Sequence, residues 1–290
     1  FALPYFAVTA IYIISINIDK VMLQLFWNSL EVGYYFSVQK ITEFVIAISS
    51  AVGILLFPIL SSYHVDNRIK ELAELTRKAE RYLSLVILPI AVFTIALAPQ
   101  IIHVILSDEI LPAVAVLQTL AVYALIVSIN NPYWLQFGAI DRPKLGAKIA
   151  GTVALLNIIL NAIFIPSSLF GIKLLGMRAF GAAVTTVISA CIGVAISRFY
   201  VKKLTNTTTN PKIFVHLLAA CLTGILLYAL AQIIILDRWY LLVLAGLLTV
   251  AVYTGILYSL KEFTKEDYRF FIDTLSPRKM FRYMKEELKE

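Results

Sequence analysis

The chain has 290 residues, 60% of them hydrophobic and only 15% charged, with a formal net charge of +7. A soluble domain carries about 25% charged residues, whereas here apolar runs of 18 or more residues recur along nearly the whole chain, each long enough to cross a bilayer. The basic residues cluster between those runs, as they do in membrane loops. These features exclude a soluble enzyme and a nucleic-acid-binding domain, and they predict an all-α polytopic membrane protein.

In chain order the pattern predicts eight spans, at about 3–25, 33–60, 82–106, 111–130, 146–165, 176–199, 213–236 and 239–260. Phe1 already lies in an apolar run, with no charged segment or small-residue cleavage site behind it. The expectation is therefore a fragment preceded by further chain, not a signal peptide. Span one carries Asp19. Span two, taken as about 28 residues, would measure about 42 Å, longer than the ~30 Å hydrocarbon core. It carries Gln39, Lys40 and Glu43. A charge in hydrocarbon costs about 2.5–3.5 kcal/mol on insertion scales, so these positions require a partner or a function. With the turn centred near Leu30, antiparallel packing places Asp19 and Lys40 level, which allows an ion pair. Lys40 and Glu43 at i, i+3 offer another.

At the end of span four, Asn130, Asn131, Tyr133 and Gln136 read as a loop wetted by headgroup water. In span five, Asn157 and Asn161 lie one helical turn apart. Pro166, a short Gly-containing link and Gly181-Ala182-Ala183 follow. Small residues let helices approach closely, and Asn hydrogen-bonds across helices in lipid. Pro58, Pro89, Pro99 and Pro166 mark kinks or stops. His64, His103 and His216 stand isolated, and Cys191 and Cys221 form no close pair, so neither a metal site nor a disulfide framework is expected. The "TNTTTN" stretch at 205–210 reads as a polar linker. Its Asn206-Thr207-Thr208 matches a glycosylation sequon by chance, since it falls on the side assigned to the cytoplasm. Beyond 261, Tyr268, Phe271, Ile272 and Leu275 fall on one helical face opposite many Lys and Arg. The tail is either a surface-lying amphipathic segment or a solvated tail packed on loops.

Orientation follows from charge. Of the 25 Lys and Arg residues, Lys40 lies inside a span, and the connections after spans one, three, five and seven hold only Lys20, Lys173, Arg178 and Arg238. The rest sit after spans two, four and six and in the tail. The positive-inside rule makes that side cytoplasmic, with the C-terminus inside.

"LLNIILNAIFIPSSLFGIKLLGMRAFGAAVTTVIS" (155–189) resembles the Asn…Asn…Pro…Gly-Ala-Ala pattern of polysaccharide flippases (Wzx-like) in the multidrug/oligosaccharidyl-lipid/polysaccharide exporter superfamily. "SINIDKVMLQLFWNSLEVGYYFSVQKITEF" (15–44) is similar to the opening of that family's second six-helix lobe. "FGAIDRPKLGAKIAG" (137–151) and "FTKEDYRFF" (263–271) also match in order, over the whole chain. The one departure is Thr185-Thr186, where the family often has Ala-Thr.

The resemblance implies a C-terminal six-helix lobe over 1–200, a cytoplasmic linker at 201–211, two additional helices over 212–260 and an amphipathic tail over 261–290. It further implies a separate N-terminal lobe as partner, a cell-membrane location, no cofactor, and transport without covalent chemistry. The cargo would be a polyprenyl-linked oligosaccharide, moved through a cleft that opens alternately to each side. The alternative within the superfamily is a multidrug or cation antiporter. An enzyme acting on the same lipid is disfavoured by the short outer loops. Candidates for the substrate path are Asp19, Gln39, Lys40, Glu43, Asn157 and Asn161. Three readings of the charged group stay open: an ion pair that fixes helix packing, a polar patch facing the cleft, and a passive position on the outer surface. The two asparagines read first as interhelical packing.

Overall fold

The computed structural model describes residues 17–234 and 236–262, and the amphipathic pattern beyond 262 falls outside them. Helix α1 covers residues 17–26 of the described chain, and a two-residue turn at Trp27–Asn28 leads into α2 (Ser29–Val65). Asn28 caps α2 by accepting the Glu31 amide at 3.1 Å, with Glu31 itself in the acidic first turn. That cap starts α2 four residues earlier than its hydrophobicity predicts. At 37 residues the helix is about 56 Å long, so part of it extends beyond the hydrocarbon core.

Helix α3 (Ile69–Ala96) also begins earlier than expected, because its first turns are amphipathic rather than apolar. The predicted third span does not run unbroken to 106. It stops at Leu97, and a short helix α4 (Ala98–Ile101), opened by Pro99, passes into a π-helical turn (Ile102–Leu106) and a 3-10 turn (Asp108–Ala113). Helices α5 (Val114–Ala139), α6 (Pro143–Phe164), α7 (Arg178–Thr205), α8 (Lys212–Ala231) and α9 (Trp239–Ser259) follow the predicted order. A minimal hairpin, β1 (Ser168–Leu169) and β2 (Ile172–Lys173), joins α6 to α7. Among the described residues, seven helices are long and apolar enough to cross a membrane.

Helix α5 is the centre of the bundle, packed by α2, α3 and α7, while α6 lies on α7 and the α8–α9 pair lies on α3. The largest buried cluster joins α1, α2, α5 and α7 around Leu23, Tyr35, Leu117, Leu120 and Ala182. The loops after α2, α5, α7 and α9 share one end of the bundle, here the basic end. The α1–α2 turn, the 97–113 segment, the hairpin and the α8–α9 turn share the other, the hairpin end.

Close packing at the hairpin end depends on Gly181. A Cβ there would lie 2.9 Å from the Phe164 carbonyl oxygen and 2.9 Å from the Met177 Cβ. Gly181→Ala is expected to destabilise the bundle by about 1–3 kcal/mol, the usual cost of overpacking. Gly151→Ala, which meets nothing within 4 Å, should be neutral or gain up to about 1 kcal/mol in helix propensity. Thermal denaturation of the two purified variants in detergent checks the contrast; equal melting temperatures would contradict it.

Candidate functional site

The six residues picked out from the sequence separate into two groups that do not touch. Lys40 and Glu43 lie on an uncovered face of α2, with side chains 53% and 43% exposed and joined by a 2.7 Å ion pair. They share this face with Phe36 and with Lys20 of α1. The Lys20 and Lys40 ammonium groups sit 5.4 and 5.1 Å from the centre of the Phe36 ring, within cation–π range. Gln39 lies half-buried beside them, with its side-chain oxygen buried and unpartnered. The patch holds two cations, one carboxylate and one aromatic ring, and Lys40 lies about 17 Å along α2 from its first residue.

Asp19 does not pair with Lys40. It is buried, accepting from the Tyr35 hydroxyl at 2.7 Å and the Asn161 side-chain amide at 2.6 Å, with the Thr186 hydroxyl 3.0 Å away. Asn161 also donates to the Asn157 side-chain oxygen at 3.1 Å and accepts from the Thr185 hydroxyl. The expected pairing fails because the turn between α1 and α2 centres on Trp27–Asn28 rather than near Leu30. Moving the turn by about three residues brings Tyr35 level with Asp19 and carries Lys40 a turn further down. The three buried residues therefore bind α1 to α6 and α7, and none of them opens onto the exposed patch. Thr185 and Thr186, the one departure from the family pattern, are members of this network.

The basic end contains a second polar system that sequence reasoning missed. Glu80 on α3 is fully buried. It accepts from the Tyr133 hydroxyl at 2.6 Å and the Asn210 amide at 2.9 Å, and Arg198 of α7 sits 2.8 Å from its other oxygen. Arg198 stacks over the Tyr133 ring at 4.3 Å and bonds Asn130 and Thr209. Gln136 donates to Thr76 and Thr207 and accepts from Thr205. Asn130, Tyr133 and Gln136 are thus buried rather than wetted by headgroups, and the polar Thr205–Asn210 stretch is a strap bonded to the bundle through Thr205, Thr207, Thr209 and Asn210. His216 is not isolated: it bonds Ser84 at 2.6 Å and Glu262 at 3.3 Å, and Glu262 also pairs with Arg81 and Lys212. His103, outside the spans, is held above its ordinary pKa by the Asp108 carboxylate that it bonds. A signal for the basic-end network was present. Glu80, Tyr133 and Arg198 each stand at the edge of an apolar run, where a charged or hydroxyl group needs a partner.

Among the described residues no group of three or more His, Cys, Asp or Glu could hold a metal ion. The exposed patch presents two ammonium groups, one carboxylate and an aromatic ring. The buried cluster and the basic-end network tie helices together.

Comparison with known proteins agrees with the resemblance over the part of the chain that carries the 15–44 motif. A family model described as polysaccharide biosynthesis protein matches residues 1–115. No curated protein matches. Among solved structures, the chain is similar to one titled "Lipid II flippase MurJ, inward closed conformation", with a TM-score of 0.69 and 21% sequence identity. The match covers 86% of this chain and 52% of that one, so the chain spans about half the length of the structure that it matches. At that identity the likeness shows a shared all-α membrane fold.

Proposed function

We propose that this chain forms the C-terminal six-helix lobe, with two additional helices, of a flippase that moves polyprenyl-linked oligosaccharides across the cytoplasmic membrane by alternating access. The basic end faces the cytoplasm in this reading. The observation that carries it is the patch on α1 and α2 formed by half-buried Lys20 with exposed Phe36 and Lys40. Charges at bilayer depth are costly and mark substrate paths unless they are neutralised within the protein. On this face Glu43 lies beside the two ammonium groups, while the other nearby carboxylate, Asp19, is turned into the buried cluster, so the face presents cations to the diphosphate of a lipid-linked sugar. Half of a transport path lies on this face, and a second lobe completes the cleft around it. The polyprenyl chain stays in lipid while the head group crosses along polar side chains, so transport requires no bond to be made or broken.

The fold match to a lipid II flippase and the match of residues 1–115 to a polysaccharide biosynthesis family model support this reading. Vesicles containing the full-length protein test it. A fluorescent lipid-linked oligosaccharide in one leaflet should become accessible from the other only when the protein is present, while efflux of a cationic dye should stay at background. Dye efflux without movement of the lipid-linked sugar would replace this function with that of a drug or cation antiporter.

A further inference from the structure

The 166–177 link between α6 and α7 has features that packing of the bundle does not require. Its base is rigid. The amides of Leu174, Leu175, Gly176, Met177 and Arg178 bond the carbonyls of Ser167, Ile163, Pro166, Phe164 and Ile165, so the returning strand caps the end of α6. From that platform a two-residue turn projects Phe170 and Gly171, both with positive φ (49° and 82°). Two positive φ values are what a tight hairpin turn of the primed type demands. Gly171 meets that demand without strain, but a bulky aromatic at Phe170 is an outlier in this region. Phe170 is also 95% exposed, so contact within the bundle does not compensate the strained position.

The hairpin is two-faced. Ser168 pairs with Lys173 and Leu169 with Ile172. Since successive side chains point to opposite faces, Ser168 and Lys173 share one face while Leu169 and Ile172 share the other. Ile172 is 67% and Leu175 56% exposed. No acidic residue occurs between 166 and 177.

Its level in the molecule identifies what meets that apolar face. The hairpin lies at the ends of two membrane spans, beside Trp27. The Trp27 indole donates to the Ile165 carbonyl at 2.7 Å, and Arg178 stacks on its ring at 4.5 Å. Trp239 and Tyr240 open α9 at the same end. Tryptophan and tyrosine rings mark the headgroup level of a bilayer. A segment at that depth, apolar on one face and cationic on the other, has the chemistry of an interfacial element whose apolar side enters the acyl boundary by about 5–10 Å.

We propose that the 168–173 hairpin is a membrane anchor, placing Phe170, Leu169 and Ile172 among acyl chains and Lys173 against lipid phosphates of the leaflet at this end. On the orientation proposed above, that is the outer leaflet. The anchor holds the α6–α7 end at a set depth in the bilayer. It requires only that the chain spans a membrane, and it stands apart from the flippase reading.

Site-directed spin labelling tests it in the full-length protein, reconstituted in phosphatidylethanolamine–phosphatidylglycerol vesicles, with Cys191→Ala, Cys221→Ala and alanine at any cysteine outside this chain removing competing thiols. Labels at Phe170→Cys and Ser168→Cys are compared for collision with oxygen, which concentrates in lipid, and with a water-soluble nickel chelate. The expected result is a several-fold higher oxygen-to-nickel ratio at 170 than at 168. Equal, water-like accessibility at both positions would overturn the proposal. So would shielding of position 170 from both reagents, since that places it against protein. A Phe170→Trp variant without label repeats the measurement. Its added emission should be quenched by lipids brominated on the acyl chains, and quenching by aqueous acrylamide instead would overturn the anchor.

Discussion

Replacing Lys20 and Lys40 together by alanine is expected to reduce transport of a lipid-linked oligosaccharide by about tenfold to a hundredfold, with membrane abundance unchanged. Hydrogen bonds to charged groups contribute about 1.5–3 kcal/mol, and each 1.4 kcal/mol is about a factor of ten, so loss of even one such contact from the transport barrier gives this range. Abundance should hold because Lys40 bonds only along its own helix, and the one contact that Lys20 makes across helices is its cation–π contact with Phe36, which contributes about 0.5–1 kcal/mol at an exposed site. The Lys40–Glu43 bond at 2.7 Å joins exposed neighbours on one helix, a type of pair that contributes about 0.3–0.5 kcal/mol. Glu43→Gln separates the first two readings of this pair. If its role were to fix packing, Glu43→Gln would lower abundance. If the patch serves an anionic head group, Glu43→Gln leaves Lys40 free and transport is retained. Normal transport by the double lysine variant at equal expression would remove the patch from the path.

The largest stability effect is expected at Glu80. Its carboxylate is fully buried, with Arg198 at 2.8 Å, the Tyr133 hydroxyl at 2.6 Å and the Asn210 amide at 2.9 Å. Glu80→Ala leaves a partly buried guanidinium without its anion and the Asn210 amide without its acceptor, while the Tyr133 hydroxyl keeps only the Thr208 carbonyl at 3.1 Å. Breaking a buried pair from one side costs about 3–5 kcal/mol. The strap at 205–210 should then loosen at its Asn210 end, where the backbone amide is held by Glu80, while its bonds to Gln136, Arg198 and Tyr133 remain. The double variant Glu80→Gln with Arg198→Met removes both charges while keeping volume, and it should recover much of the loss. Thermal denaturation in detergent reads the stability, and protease nicking within 205–211 reads the strap. Equal stability of Glu80→Ala and the unmodified chain would show that the pair does not hold this end together.

How much of this could be read from the residues depended on the range of the interaction. The order of the spans from the second to the eighth followed from hydropathy, because each apolar run must satisfy its own backbone inside one helix. Errors of boundary arose where the signal was not apolar. Helix α2 starts at its Asn28 cap, and α3 starts in an amphipathic stretch that periodicity alone does not separate from loop. The local Lys40–Glu43 pair was legible because helical geometry sets an i, i+3 contact. The partner of Asp19 was not, because it depends on where a turn is centred, and a shift of about three residues replaces Lys40 by Tyr35. The contribution of Asn157 and Asn161 was legible as interhelical bonding, but not the helix that they reach.

Sequence alone therefore determined an all-α membrane bundle, its chain order, the asymmetry of basic loops and the family resemblance. All of these depend on composition and on neighbours within a few turns. Only the tertiary structure decided which charges are spent inside the fold and which remain uncovered. It tied Asp19 to Tyr35, Asn161 and Thr186, and Glu80 to Arg198 across 118 residues of chain. It left Lys20 and Lys40 on an open face beside Phe36. A side chain's burial is set by the packing of helices remote in sequence, and a one-dimensional pattern carries no record of which helix stands opposite.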